Sequence, residues 1–203
     1  MRSRQSTKRA SWTCRRLSSK PRAVVLVEGV SDQVAVEVLA ERRGRNLDAE
    51  GITIVPIGGA QAIGRFLDHY GPQGLDVTLA GLCDAAEEAD FRRGLERAGL
   101  GTDLTRSDME RLGFYVCVED LEDELIRALG TDTVEQVVQA HGDLGAFRTL
   151  QKQPAWRGRP ASEQLRRFMG SGGSRKIRYA RYLVEALELD AVPRPLDLLF
   201  THV

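Results

Sequence analysis

The sequence predicts an α/β fold in which a central parallel sheet of four strands is flanked by helices and followed by a helical C-terminal extension. Four short apolar runs rich in β-branched residues recur in the first 130 residues, as buried strands do. Stretches with helical spacing of apolar residues lie between these runs. Strands that alternate with single helices form βαβ units, and such units build a parallel sheet.

The first strand is predicted from Ala23 to Val27, a wholly apolar run typical of a strand that is covered on both faces. The other three predicted strands span Ile52 to Ile57, Val77 to Leu82 and Phe114 to Val118. The sequence contains no internal repeat.

Helices are predicted wherever apolar residues recur every three or four positions. Such spacing begins at Val34 and again at Ile63, and a third helix is predicted from Glu87 to Ala98. After Gly130 the pattern is helical throughout, with predicted helices at 132–141, 143–151, 161–169, 174–188 and 195–201. The chain is thus divided into a basic tail at 1–22, an α/β core at 23–130 and a helical extension at 131–203. We expect the extension to complete the functional site of the core.

The charges are balanced in total but not along the chain, which has 29 Lys and Arg against 29 Asp and Glu. Residues 1–22 hold eight basic groups and no acid, so the remainder carries a net charge of −8. This distribution excludes a uniformly basic coat for nucleic acid, and contact with an anion must be local. The aperiodic tail predicts disorder, and a solvated tail is favoured over an arm that contacts phosphates.

The cysteines and the hydropathy pattern predict a cytoplasmic protein without contact to a membrane. No apolar run approaches the roughly 18 residues of a membrane span, and no apolar segment follows the basic tail as in a signal peptide. Cys14, Cys83 and Cys117 have no CxxC pairing, so we interpret them as reduced packing residues.

Carboxylates follow three of the four predicted strands, at the edge where a parallel sheet binds its ligands. Glu28 and Asp32 follow the first strand, Asp84 follows the third, and an acidic run that begins at Glu119 follows the fourth. Because crowded carboxylates repel one another, a hard divalent cation is the usual means of stabilising them. The sequence therefore predicts a Mg²⁺ or Mn²⁺ site with oxygen ligands.

Each of these features also has a simpler interpretation. Asp32 lies in a first helical turn, where a carboxylate complements the helix dipole, and Ser31 is the predicted N-cap. The pair Gly58-Gly59 forms either a tight turn or a place where a phosphate approaches the backbone. The acidic run 119–124 is typical of a solvated helix start. The occurrence of all these acids at one edge is harder to explain than any one of them.

Lys176 is the strongest candidate for a functional cation. It follows a glycine-rich break and opens a predicted helix whose N-cap is assigned to Ser174. Arg175, Lys176 and Arg178 place three cations in a first turn, against the helix dipole, and so indicate a nearby anion such as a phosphate or the acidic edge. An exposed basic turn without a partner is an equally weighted alternative.

Other catalytic signatures are lacking in the sequence. No GxxxxGK[ST] motif occurs, and the three histidines lack the spacing of metal ligands. The loop 156–160, with one tryptophan and two arginines, is interpreted as a surface loop rather than a nucleic-acid contact.

The motifs in their order resemble a Toprim domain, the metal-binding fold shared by topoisomerases, primases and several nucleases. The resemblance rests on Glu28-Gly29-x-Ser31-Asp32 after the first strand, Gly58-Gly59 after the second and Asp84 after the third. Three features are more specifically similar to the nucleases of the overcoming-lysogenisation-defect (OLD) family than to topoisomerases. They are Asp32 one helical turn after Glu28, the double glycine after the second strand, and the later segment Asp120-Leu121-Glu122 with the pattern from Lys176 to Ala180. The similarity covers residues 23–130 and the helix at 174–188.

The resemblance implies metal-dependent cleavage of DNA, with RNA left open as a substrate. The implied metal ligands, for Mg²⁺ or Mn²⁺, are Glu28, Asp32, Asp84 and Glu122. The implied catalytic residues are Glu28, Asp84 and Lys176, of which the lysine stabilises charge at the phosphate being cleaved.

The sequence departs from the OLD pattern in two ways. The second acid of the family's Asp-x-Asp motif is Ala86 here, and residues two apart in an extended segment face the same side, so one ligand is missing. Glu87 has a longer side chain, but we expect a helix start to turn it away. The ATPase domain that usually precedes the Toprim region has no counterpart, so any ATP dependence implies a separate ATPase chain; a homodimer through the extension is left open.

Two other functions remain as alternatives. The first is a non-catalytic Toprim module that binds nucleic acid or a partner ATPase, which Ala86 and the net charge of −8 favour. The second is a phospho-acceptor domain similar to a response-regulator receiver with Asp84 as acceptor. Glu28 after the first strand and the pattern of the helix that follows disfavour it.

Overall fold

The sheet has the predicted class, with four parallel strands and helices on both faces. The computed structural model of the chain describes residues 20–203, so nearly all of the predicted tail, and Cys14 with it, lies outside the described residues. The strands, in the spatial order β2-β1-β3-β4, are β1 (Ala23–Val27), β2 (Ile52–Pro56), β3 (Thr78–Cys83) and β4 (Phe114–Val116).

The strand register aligns the carboxyl ends of the strands. Val27 of β1 lies opposite Pro56 of β2 and Leu82 of β3, and Cys83 lies opposite Val116 of β4. The chain order reverses between β1 and β3, and this reversal opens a crevice beyond the strand ends. The residues that follow β1 and β3 therefore face each other across the crevice.

Five helices accompany the sheet up to residue 130. They are α1 (Val30–Arg42), α2 (Ile63–Tyr70), α3 (Glu88–Arg97), α4 (Arg106–Arg111) and α5 (Leu121–Leu129), with short 3₁₀ turns at 60–62 and 85–87. On β1, Val24 and Leu26 pack with α2 and α3 on one face of the sheet, while Val25 and Val27 pack with α1 and α5 on the other. This alternation reflects the period of two along a strand.

The C-terminal extension consists of five helices, namely α6 (Thr131–Ala140), α7 (Leu144–Lys152), α8 (Ala161–Met169), α9 (Gly173–Ala186) and α10 (Arg194–His202). It packs on the α1 face of the sheet and shares one continuous apolar core with it. Helix α9 lies against α1, and the Arg42 guanidinium donates to the carbonyl of Val184 at 2.6 Å, near the end of α9. Helix α9 is thereby held beside the sheet.

The observed elements lie within about two residues of the predicted ones, except that one short helix was not predicted. The fourth strand ends at Val116 rather than at Val118, and α4 was not predicted because six residues are too few to display a helical period. The start of α4 carries a recognisable local signal, since Thr105 accepts from the Asp108 N–H and Asp108 accepts from the Thr105 N–H.

Both predicted serine N-caps are wrong. Helix α1 begins at Val30 with Gly29 as its N-cap, and the Gly29 N–H donates to Oδ2 of Asp32 at 2.8 Å. Helix α9 begins at Gly173 with Gly172 as its N-cap, at a φ of 129° that favours glycine. Only Gly172 needs the conformational freedom of glycine, because the backbone of Gly29 is extended, with a φ of −141° that any residue can adopt.

Cys83 and Cys117 are free and buried, which confirms their interpretation as packing residues. Burial raises the pKa of both thiols. Within residues 20–203, no helix has the length and apolar character that a membrane crossing requires.

Candidate metal centre

Three carboxylates converge in the crevice beyond the strand ends. Glu28, Asp84 and Glu87 each offer an oxygen atom, and these oxygens all lie within 4.8 Å of one another. Glu28 directly follows β1, and Asp84 directly follows β3. The structure thus brings Glu28 and Asp84 together, as the sequence predicts for acids that follow neighbouring parallel strands.

The expectation that Glu87 turns away from the centre is wrong. The backbone after Asp84 is not extended but forms a 3₁₀ turn, in which the Glu87 N–H donates to the Asp84 carbonyl at 3.0 Å. Side chains three residues apart are nearly eclipsed in a 3₁₀ turn, so Asp84 and Glu87 face the same side. Ala86 is exposed and lies outside this group.

The carboxyl groups of this triad are crowded. Burial, followed by the charges of Glu28, Asp32 and Asp120, raises the pKa of Asp84 to about 8. Burial, followed by the hydrogen bond and the charge of Glu28, raises the pKa of Glu87 to about 8. At neutral pH the triad therefore holds protons that a bound cation would displace.

Asp32 and Glu122 lie beside the triad and flank Lys176. The Lys176 ammonium is 3.3 Å from Oε2 of Glu122, which is 4 % exposed. Burial raises the pKa of Glu122 to about 7, against the opposing charge of Lys176. Burial also raises the pKa of Asp32, and Lys176 and the Gly29 N–H oppose that shift.

Lys176 stays cationic in this setting. Burial acts to lower its pKa, but Glu122, Asp32 and Asp84 together outweigh burial and raise the pKa above its ordinary value. Lys176 is thus placed, as predicted, against the acidic edge rather than in an isolated basic turn.

The residues present fit a hard divalent cation. Oε2 of Glu87 and Oε1 of Glu122 are buried and have no hydrogen-bond partner among the described residues. Buried polar atoms without a partner are costly and call for an explanation such as a bound ion. The donor set contains only carboxylate oxygens, which Mg²⁺ and Mn²⁺ prefer.

The pair Gly58-Gly59 forms a turn that supports Glu28. The N–H groups of Gly58 and Gly59 donate to the Glu28 carbonyl at 3.0 and 3.3 Å. Both glycines have positive φ, 77° and 110°, and these values favour glycine. Because the two amides already have an acceptor, the turn interpretation is the one the structure supports.

The acidic run after β4 is not a uniformly solvated helix start, as its simpler interpretation supposed. Glu122 and Glu124 are both buried, and Glu124 accepts from the Val118 N–H at 2.7 Å. Asp120 caps α5 by accepting from the Asp123 N–H at 2.8 Å, and its other oxygen accepts from Nε of Arg166 at 2.6 Å. Asp120 is therefore fully engaged.

The sequence analysis expected Glu87 to turn away from the centre, and it did not consider Arg166 beside it. Glu87 was visible as an acid three residues after Asp84, but its placement depends on a turn that the sequence did not predict. Arg166, which joins α8 to Asp120, sits within an ordinary amphipathic helix, and nothing in its local sequence marks it.

Both the sequence and the fold of this chain are similar to known proteins. Residues 21–85 match the family model described as overcoming lysogenization defect protein-like, TOPRIM domain. The C-terminal region of the Xanthomonas campestris pv. campestris OLD protein is similar, with 25% identity and a TM-score of 0.70 over 90% of this chain and 92% of that chain. A search of curated proteins found no match.

A second solved structure has the same fold. It is the C-terminal region of the Burkholderia pseudomallei OLD protein, with 20% identity and a TM-score of 0.69 over 90% of this chain and 96% of that chain. The parallel sheet with acids beyond β1 and β3 defines a Toprim domain. More particularly, residues 21–85 match the OLD-like TOPRIM family model and 90% of the chain shares the fold of these OLD C-terminal regions, which confirms the resemblance seen in the sequence.

Proposed function

We propose that the chain is a metal-dependent nuclease that hydrolyses phosphodiester bonds of DNA. The observation that carries this proposal is the convergence of Glu28, Asp84 and Glu87 within 4.8 Å beside the Lys176 ammonium. A cation site next to a fixed positive charge suits a reaction in which a phosphate gains negative charge. The match of residues 21–85 to the OLD-like TOPRIM family model supports the same chemistry.

The triad Glu28, Asp84 and Glu87 would hold Mg²⁺ or Mn²⁺. Such an ion, when bound, activates water and neutralises charge on the phosphate. Glu87 supplies the carboxylate that Ala86 lacks, since the 3₁₀ turn aims it at Asp84 and Glu28. Ala86 therefore does not by itself remove the metal site.

Lys176 stabilises the negative charge that develops on the phosphate, an effect often worth about 3 kcal/mol. Asp32 and Glu122, first predicted as metal ligands, keep Lys176 protonated, and Glu122 holds its ammonium at 3.3 Å. They thereby act on the reaction through the lysine, and they remain available as further ligands on the side of the centre that faces α9.

Cleavage of supercoiled plasmid DNA in Mg²⁺ or Mn²⁺ tests this function. We expect the unmodified chain to nick DNA only with a divalent cation, and Asp84→Asn to abolish nicking. Asp68→Asn is the matched control, because Asp68 is exposed on α2 and distant in the chain from the strand ends. Equal metal-dependent cleavage by the unmodified chain and Asp84→Asn would contradict the proposal.

A non-catalytic Toprim module that acts on nucleic acid or a partner ATPase is the second candidate, and the alanine at position 86 favours it. Calorimetric titration with Mn²⁺ separates the two. The nuclease requires binding that Asp84→Asn abolishes, whereas absence of binding at millimolar Mn²⁺ would support the non-catalytic module.

A further inference from the structure

The C-terminal extension contains one segment of strongly positive charge. Residues 144–182, which include α7, α8 and most of α9, carry ten basic residues and one acid, Glu163. Residues 23–130 carry ten basic residues against 21 acids. The net charge of −8 outside the tail is therefore unevenly distributed, and residues 144–182 are strongly basic. We name residues 144–182 the basic segment.

The basic segment lies directly against the candidate metal centre. Lys176 contacts Glu122, and Arg166 bonds to Asp120 at 2.6 Å and lies 3.6 Å from Glu119. The Glu119 carbonyl in turn accepts from the N–H of Ala85, the residue after Asp84. A ligand lying along the basic segment would thus reach the carboxylate triad.

A cleft of about 560 Å³ opens between the loop after β4 and helix α8. Its lining residues are Glu119, Asp120, Asp123, Trp156, Glu163, Arg166, Arg167 and Gly170. Each of its carboxylates already has an arginine partner: Asp120 and Glu119 have Arg166, Asp123 has Arg127, and Glu163 has Arg159. Within residues 20–203, Arg167 has no carboxylate partner, so its guanidinium is free to bind an anion in a cleft whose acids are already paired.

Arg167 also lines a second cleft of about 210 Å³, which continues the first toward Ser171 and Arg175. The Arg175 guanidinium lies 4.3 Å from the centre of the Phe168 ring and donates to Oγ of Ser171 at 2.7 Å. Arg175 has no carboxylate partner in the described part of the chain, and its buried Nε has no acceptor there. Two adjoining clefts thus share a row of arginines with uncompensated charge.

Trp156 adds an aromatic surface to this row. The guanidinium carbons of Arg159 and Arg167 lie 5.1 and 5.9 Å from its ring centre. The neighbouring Arg157 is exposed and bonds to the Lys152 carbonyl rather than to an acid. The loop 156–160, interpreted from the sequence as a plain surface loop, is therefore part of the same positive surface.

We propose that the basic segment is the track along which the DNA phosphate backbone runs to the metal centre, with Arg157, Arg167 and Arg175 as its phosphate contacts. This inference rests on the proposed nuclease function and assigns that function a binding surface. Guanidinium groups without a carboxylate partner bind phosphate oxygens through charge-assisted hydrogen bonds, and their distribution over two clefts that share Arg167 suits an extended polyanion. The acidic triad alone would repel such a ligand.

Fluorescence anisotropy of a labelled 30-base-pair DNA duplex in EDTA measures this binding without cleavage. We expect Arg157→Ala combined with Arg167→Ala to weaken binding by about tenfold, because two phosphate contacts are lost. The slope of log K against log salt should fall by about 0.9 for each phosphate contact removed.

The matched control is Arg92→Ala combined with Arg97→Ala on α3, which changes the net charge equally on the opposite face of the sheet. Equal weakening by the two double variants would overturn the proposal, because it would show a general charge effect. A second, single variant, Arg175→Lys, keeps the charge but removes the planar guanidinium group, which can donate two parallel hydrogen bonds to a phosphate. We expect this variant to bind DNA about threefold more weakly. Binding by this variant equal to that of the unmodified chain would remove Arg175 from the track.

Trp156 gives a direct readout of the site. In a Trp12→Phe chain, Trp156 is the remaining tryptophan, and we expect its emission to change as DNA is added and Arg167 moves toward phosphate. Unchanged emission at saturating DNA would place the bound strand elsewhere.

Failure of the track and failure of the nuclease function are distinguishable. If the track is right and the nuclease function wrong, the arginine variants lose DNA binding although no chain cleaves. If the nuclease function is right and the track wrong, the arginine variants bind and cleave DNA like the unmodified chain.

Discussion

The α/β core and the basic segment carry opposite charge and meet at one edge of the sheet. The core, residues 23–130, holds 21 acids and ten basic groups, whereas residues 144–182 hold ten basic groups and one acid. Lys176 and Arg166 of the basic segment contact Glu122 and Asp120 of the core. The comparison teaches that the site is built from two parts, one suited to a cation and one suited to a polyanion.

The two parts also differ in how their charges are held. The core acids Asp84 and Glu87 have raised pKa values because they are crowded and partly withdrawn from water. The arginines of the basic segment remain largely at the surface, and several have no carboxylate partner in residues 20–203. Crowded acids favour a cation, and uncompensated arginines favour an anion, so metal and DNA would each stabilise one half of the site.

Removing a ligand from the acidic half should produce the largest effect. We expect Glu87→Gln to lower both Mn²⁺ affinity and DNA cleavage by about 100-fold or more, because the triad loses one of three carboxylates. Calorimetry measures the first and plasmid nicking the second. Glu41→Gln, at an exposed position of α1, is the matched control.

Restoring an acid at position 86 sharpens this test. If Glu87 stands in for the missing acid, Ala86→Asp added to Glu87→Gln should recover part of the Mn²⁺ affinity. Unaltered Mn²⁺ affinity in Glu87→Gln itself would show that Glu87 is no ligand.

Removing the lysine that joins the two halves should act on the reaction and not on the metal. We expect Lys176→Met to reduce cleavage by about 100-fold, which corresponds to about 3 kcal/mol of lost charge stabilisation. Mn²⁺ affinity should stay within about threefold of the unmodified chain or rise, since a positive charge near the triad is gone. Cleavage at the original rate would exclude Lys176 from the mechanism.

The pH dependence of stability separates the crowded acids from ordinary surface acids. Since the folded-state pKa values of Asp84 and Glu87 are raised to about 8 and that of Glu122 to about 7, the folded chain holds protons that the unfolded chain has released. Stability from these groups is fully present below pH 4 and is lost as the pH rises through 7 to 8. Without divalent cations, Tm should therefore fall between pH 5 and pH 8.

Metal should offset this loss at the higher pH. Mn²⁺ at about 100 times its Kd adds about 2.7 kcal/mol, which raises the Tm of a chain of this length by about 5–10 °C. The rise should be larger at pH 8 than at pH 5, where protons compete with the ion. Asp84→Asn combined with Glu87→Gln should flatten the decline in Tm, and a metal-free Tm that is constant from pH 5 to pH 8 would contradict the crowding of the triad.

Breaking a surface contact between the two halves should have the smallest effect. Arg166→Gln removes the ion pairs with Asp120 and Glu119. Because the Arg166 side chain is 40% exposed, we expect a loss of only about 0.5–1 kcal/mol in unfolding free energy. Urea denaturation measures the loss, and Arg181→Gln, from an exposed pair within α9, is the matched control. A loss above about 3 kcal/mol would mean that Arg166 holds the extension on the core.

The amino-acid sequence by itself determined the sheet and two of the three carboxylates of the triad, Glu28 and Asp84. The apolar run Ala23–Val27 predicts a buried strand, and acids directly after β1 and β3 must lie at one edge of a parallel sheet. The ordered motifs also indicated a resemblance to the Toprim domain of the OLD family, which the comparisons confirm. These features can be predicted from short stretches of sequence, because a strand that is buried on both faces must consist almost entirely of apolar residues.

Only the tertiary structure decided the remainder of the site. The 3₁₀ turn at 85–87 reverses the expected direction of Glu87, and the packing of α9 on α1 brings Lys176 to Glu122. The row formed by Trp156, Arg167 and Arg175 likewise depends on how α7, α8 and α9 pack. Contacts between distant segments arise from the burial of many apolar side chains together, and no short stretch of sequence records them.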